Sequence, residues 1–451
     1  MLDSRIRPLN DPSSAGQGSA VAYIMSRDQR AADNHALLAA QHDALDRELP
    51  LLVVFRLYPT VKNRVRQHYQ FMLDGLEQVD RRLGELNIPF LVTTDDLTDV
   101  LRTLDGAAVY FDFSPLRGPR ALRKKIAASL EVPVYEVDTH NVVPVWEVSD
   151  KQEYAARTIR PKIQKQLDEY LVEPEQVREH PHSLGETIEN DWSSIWKHIV
   201  VEKPDGYELP FEPGEESARE AMERFIGERL ASYDEDRNNP VLDGQSDLSP
   251  YLHYGQLSSL RAALAARDYA DDHSDDEQIQ ASTDAFIEQI IVRKELTDNF
   301  CYYNADYDNW NGLPDWALET LNEHREDPRE FLYTREEFEA AETHDDAWNA
   351  AQHQMMTTGK MHNYMRMYWA KKILEWTPDP ETAIEIAITL NDRYEIDGYD
   401  PNGYANILWS IGGLHDRAWQ ERPVYGKIRY MNYNGLKRKF DIEEYIERWV
   451  G

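Results

Sequence analysis

Cysteine is almost absent: Cys301 is the one cysteine in 451 residues, which excludes an internal disulfide and any cysteine-rich metal site, and no metal is expected. No apolar run approaches the ~18 residues that a membrane-spanning helix requires. The first twenty residues, rich in Ser, Gly and Pro, lack the apolar stretch of a secretory signal. The chain therefore reads as a cytoplasmic protein with residues 1–18 as a flexible N-terminal extension. Neither Gly-x-Gly-x-x-Gly nor a Walker-type loop occurs in the strand-rich half, so phosphate cradling by such a turn is not supported there. Positive charge is scarce. Lys plus Arg number 49 against 82 Asp plus Glu, a formal net charge of −33, and so acidic a surface repels polyanions at long range. At 1 M salt that repulsion is screened within about 3 Å, which points to a salt-adapted host.

A chain of this length exceeds one compact core and favours two or more domains. Between residues 19 and 170 short apolar runs alternate with amphipathic helical stretches. AVAYIM (20–25), LLVVFRL (51–57), FLVTT (90–94), AAVYFDF (107–113) and VPVYEVD (132–138) read as strands buried on both faces, and 66–86 as a helix. That rhythm predicts a Rossmann-like α/β domain with a parallel sheet and crossover helices. Residues 171–217 read as the crossing between domains, and 218–451 as an all-helical domain with caps such as Asp379 before Pro380.

Four constellations stand out. Trp369 and Trp376, seven apart and so on one helix face, are flanked by Trp348, Trp409 and Trp419; stacked indoles relay electrons, although aromatic residues at helical spacing equally describe a core. Arg366, Asn391, Asp397, Asp400 and Asn402 interrupt apolar helical sequence, as an ion-pair network or as ligands of a charged or polar group. The run QSDLSPYLHYG (245–255) opens a helix at Ser249 and Pro250, either a plain N-cap or a diphosphate site. Finally, residues 421–440 hold six Lys and Arg against Glu421, with Tyr425, Tyr430 and Tyr433 interleaved, a local reversal of charge suited to a polyanion.

The runs KMHNYMRMYWAKKILEW (360–376), LNDRYEIDGYDPNGYANILWSIGGLHDRAW (390–419) and GKIRYMNYNGLKRKF (426–440), with ELTDNFCYYN (295–304) and 138–164, closely resemble class II cyclobutane pyrimidine dimer photolyases, relatives of cryptochromes. The resemblance implies an N-terminal α/β antenna-type domain and a helical domain holding FAD. Tyr233, Ser246, Leu248 and Ser249 would contact its phosphate and ribityl portion, with Asp400 and Asn402 nearby. Arg366 and Asp397 would pair beside the isoalloxazine, Asn391 would sit near N5, and Trp369, Trp348 and Trp376 would deliver electrons. Light-excited reduced FAD would donate one electron to a dimer flipped out of UV-damaged DNA. Met367 and Trp409 would pack on that dimer, Arg237 and Asn238 would bind near it, Arg417 and Trp419 would hold the opened duplex, and Lys427, Arg429, Lys437 and Arg438 would meet phosphates.

One position departs from the family pattern. Two adjacent acids normally precede the ELTDNF run, the second bonding the lesion; here they are Glu288 and Gln289, and a glutamine donates to a carbonyl without supplying a proton. Either Glu288 compensates as the catalytic acid, the register is off by one, or the chain is a cryptochrome-like photoreceptor with weak or no repair. An antenna chromophore of deazaflavin type, and a monomeric state, are further expectations of the resemblance.

Overall fold

The computed structural model describes residues 3–11, 18–185 and 187–450. Six strands form one sheet in the order β1-β6-β5-β2-β3-β4, with β1 at Ile6–Pro8, β2 at Ala20–Met25, β3 at Leu51–Arg56, β4 at Phe90–Thr93, β5 at Gly106–Asp112 and β6 at Val134–Val137. β2 through β6 pair in parallel, and β1 pairs antiparallel to β6. All six residues of β2 are buried because alternate side chains serve opposite faces. Val21, Tyr23 and Met25 pack with Leu73 and Leu76 of helix Arg66–Glu85 and with Tyr251 and Phe286 of the C-terminal half. Ala22 and Ile24 pack instead with Leu97, Leu101 and Ile126.

The N-terminal residues correct the sequence reading. Residues 12–17 lie outside the described residues, but Asp3–Arg5 form one tight helical turn leading into β1, not a flexible extension. Arg5, 1% exposed, donates to the carbonyls of Asp138, Asn141 and Val142 at 3.0, 3.0 and 2.6 Å. Three acceptors fix a guanidinium that burial alone would expel.

From 171 to 214 the described chain is irregular apart from a few short turns and helix Trp192–Lys197. From Glu215 onward the described elements are helices, with one isolated bridge between Arg422 and Gly426. The two halves are joined by buried polar contacts as well as apolar ones. Arg27 grips Asp298 through two bonds of 2.8 and 2.9 Å, and Glu215 accepts from the backbone N–H groups of Ala31 and Ala32. At Gly255, with φ 66°, an added Cβ would lie 2.3 Å from the carbonyl oxygen of Arg27, so the close approach of the halves requires glycine there. No helix among the described residues is long and apolar enough to cross a membrane.

Candidate functional site

A cavity of about 390 Å³ opens within the helical half. Its walls are positioned by well-capped helices. Asp379 accepts from Thr382 N before Pro380–Tyr394, and Asp400 accepts from Asn402 N before Pro401–Gly412, each with proline in the first turn. Asp400 also meets His253 Nδ1 at 3.0 Å. Burial would raise its carboxyl, but His253 and Arg27 hold it well below the usual carboxylate range.

The cavity brings together Tyr233, Ser246, Ser249, Arg366, Asn391, Asp397, Asp400 and Asn402, as well as Gln289, Met367, Trp369, Trp409 and Arg237. Leu248 does not line it: fully buried, it precedes the short helix Ser249–His253. Asn391 is held by its neighbour, donating from Nδ2 to Asp392 Oδ1 at 3.1 Å. Burial raises the Asp392 carboxyl to about 6 despite the bonds it accepts from Tyr399 N, Asn391 and Tyr404.

Arg366 carries more than the single expected pair. Its Nη2 donates to Glu395 Oε2 at 2.5 Å and to Asp397 Oδ1 at 3.1 Å. Glu395 lines the cavity and is 1% exposed, yet the sequence reading passed over it. A signal existed. Glu395 is extended at φ −73° and ψ 127°, and in extended chain residues i and i+2 share a side, so the Glu-Ile-Asp spacing presents both acids to Arg366 while Ile396 enters the core. Lys360, bound to Asp247, was missed as well.

The tryptophans form a continuous chain of ring contacts, one stacked and one edge-on. Trp369 lines the cavity; its ring lies 6.2 Å from that of Trp348 at 10°, and Trp348 lies 6.3 Å from Trp376 at 64°. Trp369 Nε1 donates to Gln352 Oε1 at 2.9 Å, and Trp348 Nε1 to the carbonyl of Trp369 at 3.0 Å. Trp376 continues to Tyr333 at 5.8 Å. The three rings are buried core residues in mutual contact.

The segment Glu288–Arg293 winds as one wide, π-helical turn between helices Glu277–Ile287 and Lys294–Tyr303, a feature common at functional sites. It turns Gln289 and Arg293 into the cavity. Glu288, the candidate to compensate for Gln289, is not among the lining residues: it is bound to Arg160 of the N-terminal half at 2.7 and 2.9 Å and to Arg293 at 2.9 Å. Burial raises its carboxyl, but those guanidinium groups bring it below its ordinary value.

Beyond the cavity, cations and indoles alternate. Lys371 Nζ lies 5.0 Å from the Trp409 ring centre and Arg429 5.8 Å, and Arg429 and Arg417 lie 5.0 and 5.2 Å from that of Trp419. Arg429, Lys437 and Arg438 are exposed and Lys427 half-buried. Lys427 and Lys437 pair with Glu421 and Glu443. Asn238 is half-buried in the turn after helix Tyr233–Asp236 and does not line the cavity. Among the described residues no group of three His, Cys, Asp or Glu could hold a metal ion.

A mostly parallel α/β half joined to a helical half is the architecture of the photolyase and cryptochrome proteins. A bacterial class III photolyase structure from Agrobacterium tumefaciens matches it with a TM-score of 0.73 at 20% identity, covering 97% of this chain and 88% of that one. Residues 21–182 match the DNA photolyase family model. The chain is 45% identical to a deoxyribodipyrimidine photo-lyase of Oryza sativa subsp. japonica, over 98% of this chain and 90% of that protein. It is 46% identical to one of Potorous tridactylus, over 95% and 81% respectively. The chain belongs to the DNA photolyase family.

Proposed function

We propose that the protein repairs cyclobutane pyrimidine dimers in UV-damaged DNA under light, as a class II deoxyribodipyrimidine photo-lyase with FAD in its cavity. The observation that carries this reading is one cavity wall with two kinds of indole: Trp369, which opens the stack to Trp348 and Trp376, and Trp409, which leads to the exposed cations.

The residues present suit a flavin dinucleotide. The cavity volume falls in the ~300–1,000 Å³ range of ligand sites. Arg237 Nε and His415 Nε2, both on lining residues, are buried without a partner among the described residues, as groups awaiting a polar ligand are. Arg366, Asn391 and Asp397 would hold the ring, with Tyr233, Ser246 and Ser249 toward the phosphates. When bound, the flavin supplies light-driven one-electron chemistry.

The chain's residues do the rest. Trp369, Trp348 and Trp376 give single electrons a path between the cavity and Tyr333. Met367 and Trp409 offer packing surfaces to a flipped dimer, Gln289 offers its amide, and Arg237 and Asn238 bind beside it. Arg417, Trp419, Lys427, Arg429, Lys437 and Arg438 would contact the opened duplex, their local positive charge countering the acidic surface. We further propose a deazaflavin-type antenna in the α/β half, a monomeric state and action in the cytoplasm. Relatives of this identity carry the lyase name, so the photoreceptor reading is not carried forward.

Blue light with reduced FAD should restore dimer-containing oligonucleotides, at low and at high salt. No light-dependent loss of dimers in either condition would sink the proposal.

A further inference from the structure

At one point of the cavity wall two carboxylates meet a single cation. Glu395 and Asp397 share one guanidinium nitrogen of Arg366. Lys360, whose charge also favours the ionised form of Glu395, is itself engaged by Asp247. The remaining groups around Glu395 bring no positive charge. Met361 N donates to its Oε1 at 3.1 Å. His68, from helix Arg66–Glu85, meets only its backbone carbonyl at 3.0 Å; burial and the nearby Arg64 charge push this imidazole down to about 3, so it is neutral. The hydroxyls of Tyr207 and Tyr445 are pushed well up, first by burial and then by the nearby acids, and are neutral too.

Two carboxylates that share one guanidinium nitrogen, one of them 1% exposed, resist joint ionisation, because like charges in a desolvated site favour a proton on one of them. The more buried acid is the one that takes it.

Resting on the flavin reading above, we propose that Glu395 carries a proton at neutral pH and acts as a binding residue whose carboxyl O–H donates to the bound flavin, linking occupancy of the cavity to the charge of this one acid. The step is a simple proton exchange: the Glu395 carboxylate takes one proton from solvent and no electron moves. Burial, then the charge of Asp397, raise this carboxyl to about 8 against the pull of Arg366. The Arg366, Glu395 and Asp397 group is then neutral overall at pH 7, and an anionic ligand meets no extra negative charge. Above pH 8 the group turns anionic and the ligand loses both a donor and a neutral wall.

Two measurements test this. The infrared difference spectrum of ligand-free wild type minus Glu395→Gln should contain a protonated-carboxyl band at pH 6.5 that titrates away near pH 8; the difference cancels the other buried acids raised into this range, Asp112 at about 7 and Glu295 at about 8. In an Asp397→Asn background the same difference band should be lost at lower pH. In titration of apoprotein with FAD, affinity should fall toward about tenfold per pH unit above pH 8, whereas Glu395→Gln should bind with a flat profile between pH 7 and 9.5. A difference spectrum without the band, or a pH profile of FAD affinity unchanged by Glu395→Gln, would each overturn the proposal. Absence of any FAD binding by the wild type would instead overturn the flavin reading and the linkage, while the infrared arm would still decide where the proton sits.

Discussion

The Arg27–Asp298 pair is the sharpest place to test how the two halves are held together. Its side chains are 10% and 1% exposed, and two bonds of 2.8 and 2.9 Å join them. Arg27→Met keeps much of the volume but leaves Asp298 buried without its main partner, a change that typically costs ~3–5 kcal/mol. The ammonium of Lys294, which donates to the His140 carbonyl at 2.9 Å, also attracts Asp298, so the lower end, about 3 kcal/mol, is expected. With urea slopes of roughly 1–3 kcal/mol/M, the midpoint should fall by about 1–3 M, followed by circular dichroism and tryptophan fluorescence together. Adding Asp298→Asn removes the stranded charge and should recover part of the loss. The sign with pH is fixed. Burial raises the Asp298 carboxyl, but Arg27 and Lys294 lower it further, to a net value below the ordinary one. Its contribution is therefore present above the unfolded value near ~3.9 and is lost as pH falls through the lower folded value. The gap between Arg27→Met and wild type should shrink in acid. A midpoint shift under about 0.3 M, or no recovery in the double variant, would refute the reasoning.

Trp348→Phe should sharply slow light-driven reduction of bound FAD while leaving FAD affinity unchanged; reduction at the wild-type rate would remove Trp348 from the path. Gln289→Glu replaces a neutral hydrogen-bonding group by an acid, and the difference of about 1 kcal/mol between neutral and charge-assisted bonds predicts roughly fivefold faster repair, so equal rates would mean that Gln289 already serves. Burial lowers the Lys371 ammonium to about 7 from 10.5, against the pull of Asp416, so the unfolded chain binds the extra proton in that window and stability should rise between pH 7 and about 10. In urea titrations across that range, Lys371→Met should lack this rise, and a parallel pH profile would exclude the lysine as its source.

The parallel strands were legible because each is a short apolar run buried on both sides, which is what a covered parallel sheet demands. β1 was not: Ile6, Arg7 and Pro8 carry no such pattern, and the strand exists because an edge of β6 and three carbonyls await it. Trp369 and Trp376 were visible as one helix face, but Trp348 joins them only through packing of two helices remote in sequence. Resemblance found Arg366 and Asp397, whereas Glu395 fell between them unmarked, in sequence read as helical. The winding of Glu288–Arg293 left no mark in composition, yet it decides that Gln289 faces inward and Glu288 toward Arg160.

β1 also has a history within each molecule. Arg7 donates to the Tyr302 hydroxyl at 2.7 Å across 295 positions of chain, and its guanidinium sits 4.2 Å from the Trp146 ring centre. At roughly 5–20 residues per second, a ribosome needs about 15–60 s between making Arg7 and making Tyr302. During that interval β1 can already pair with β6, with Arg7 against Glu136 and Trp146, but its bond to Tyr302 must wait. The strand thus pairs early and gains its tie to the helical half late, and a pause in translation before residue 302 prolongs the time in which its edge is on offer to another chain.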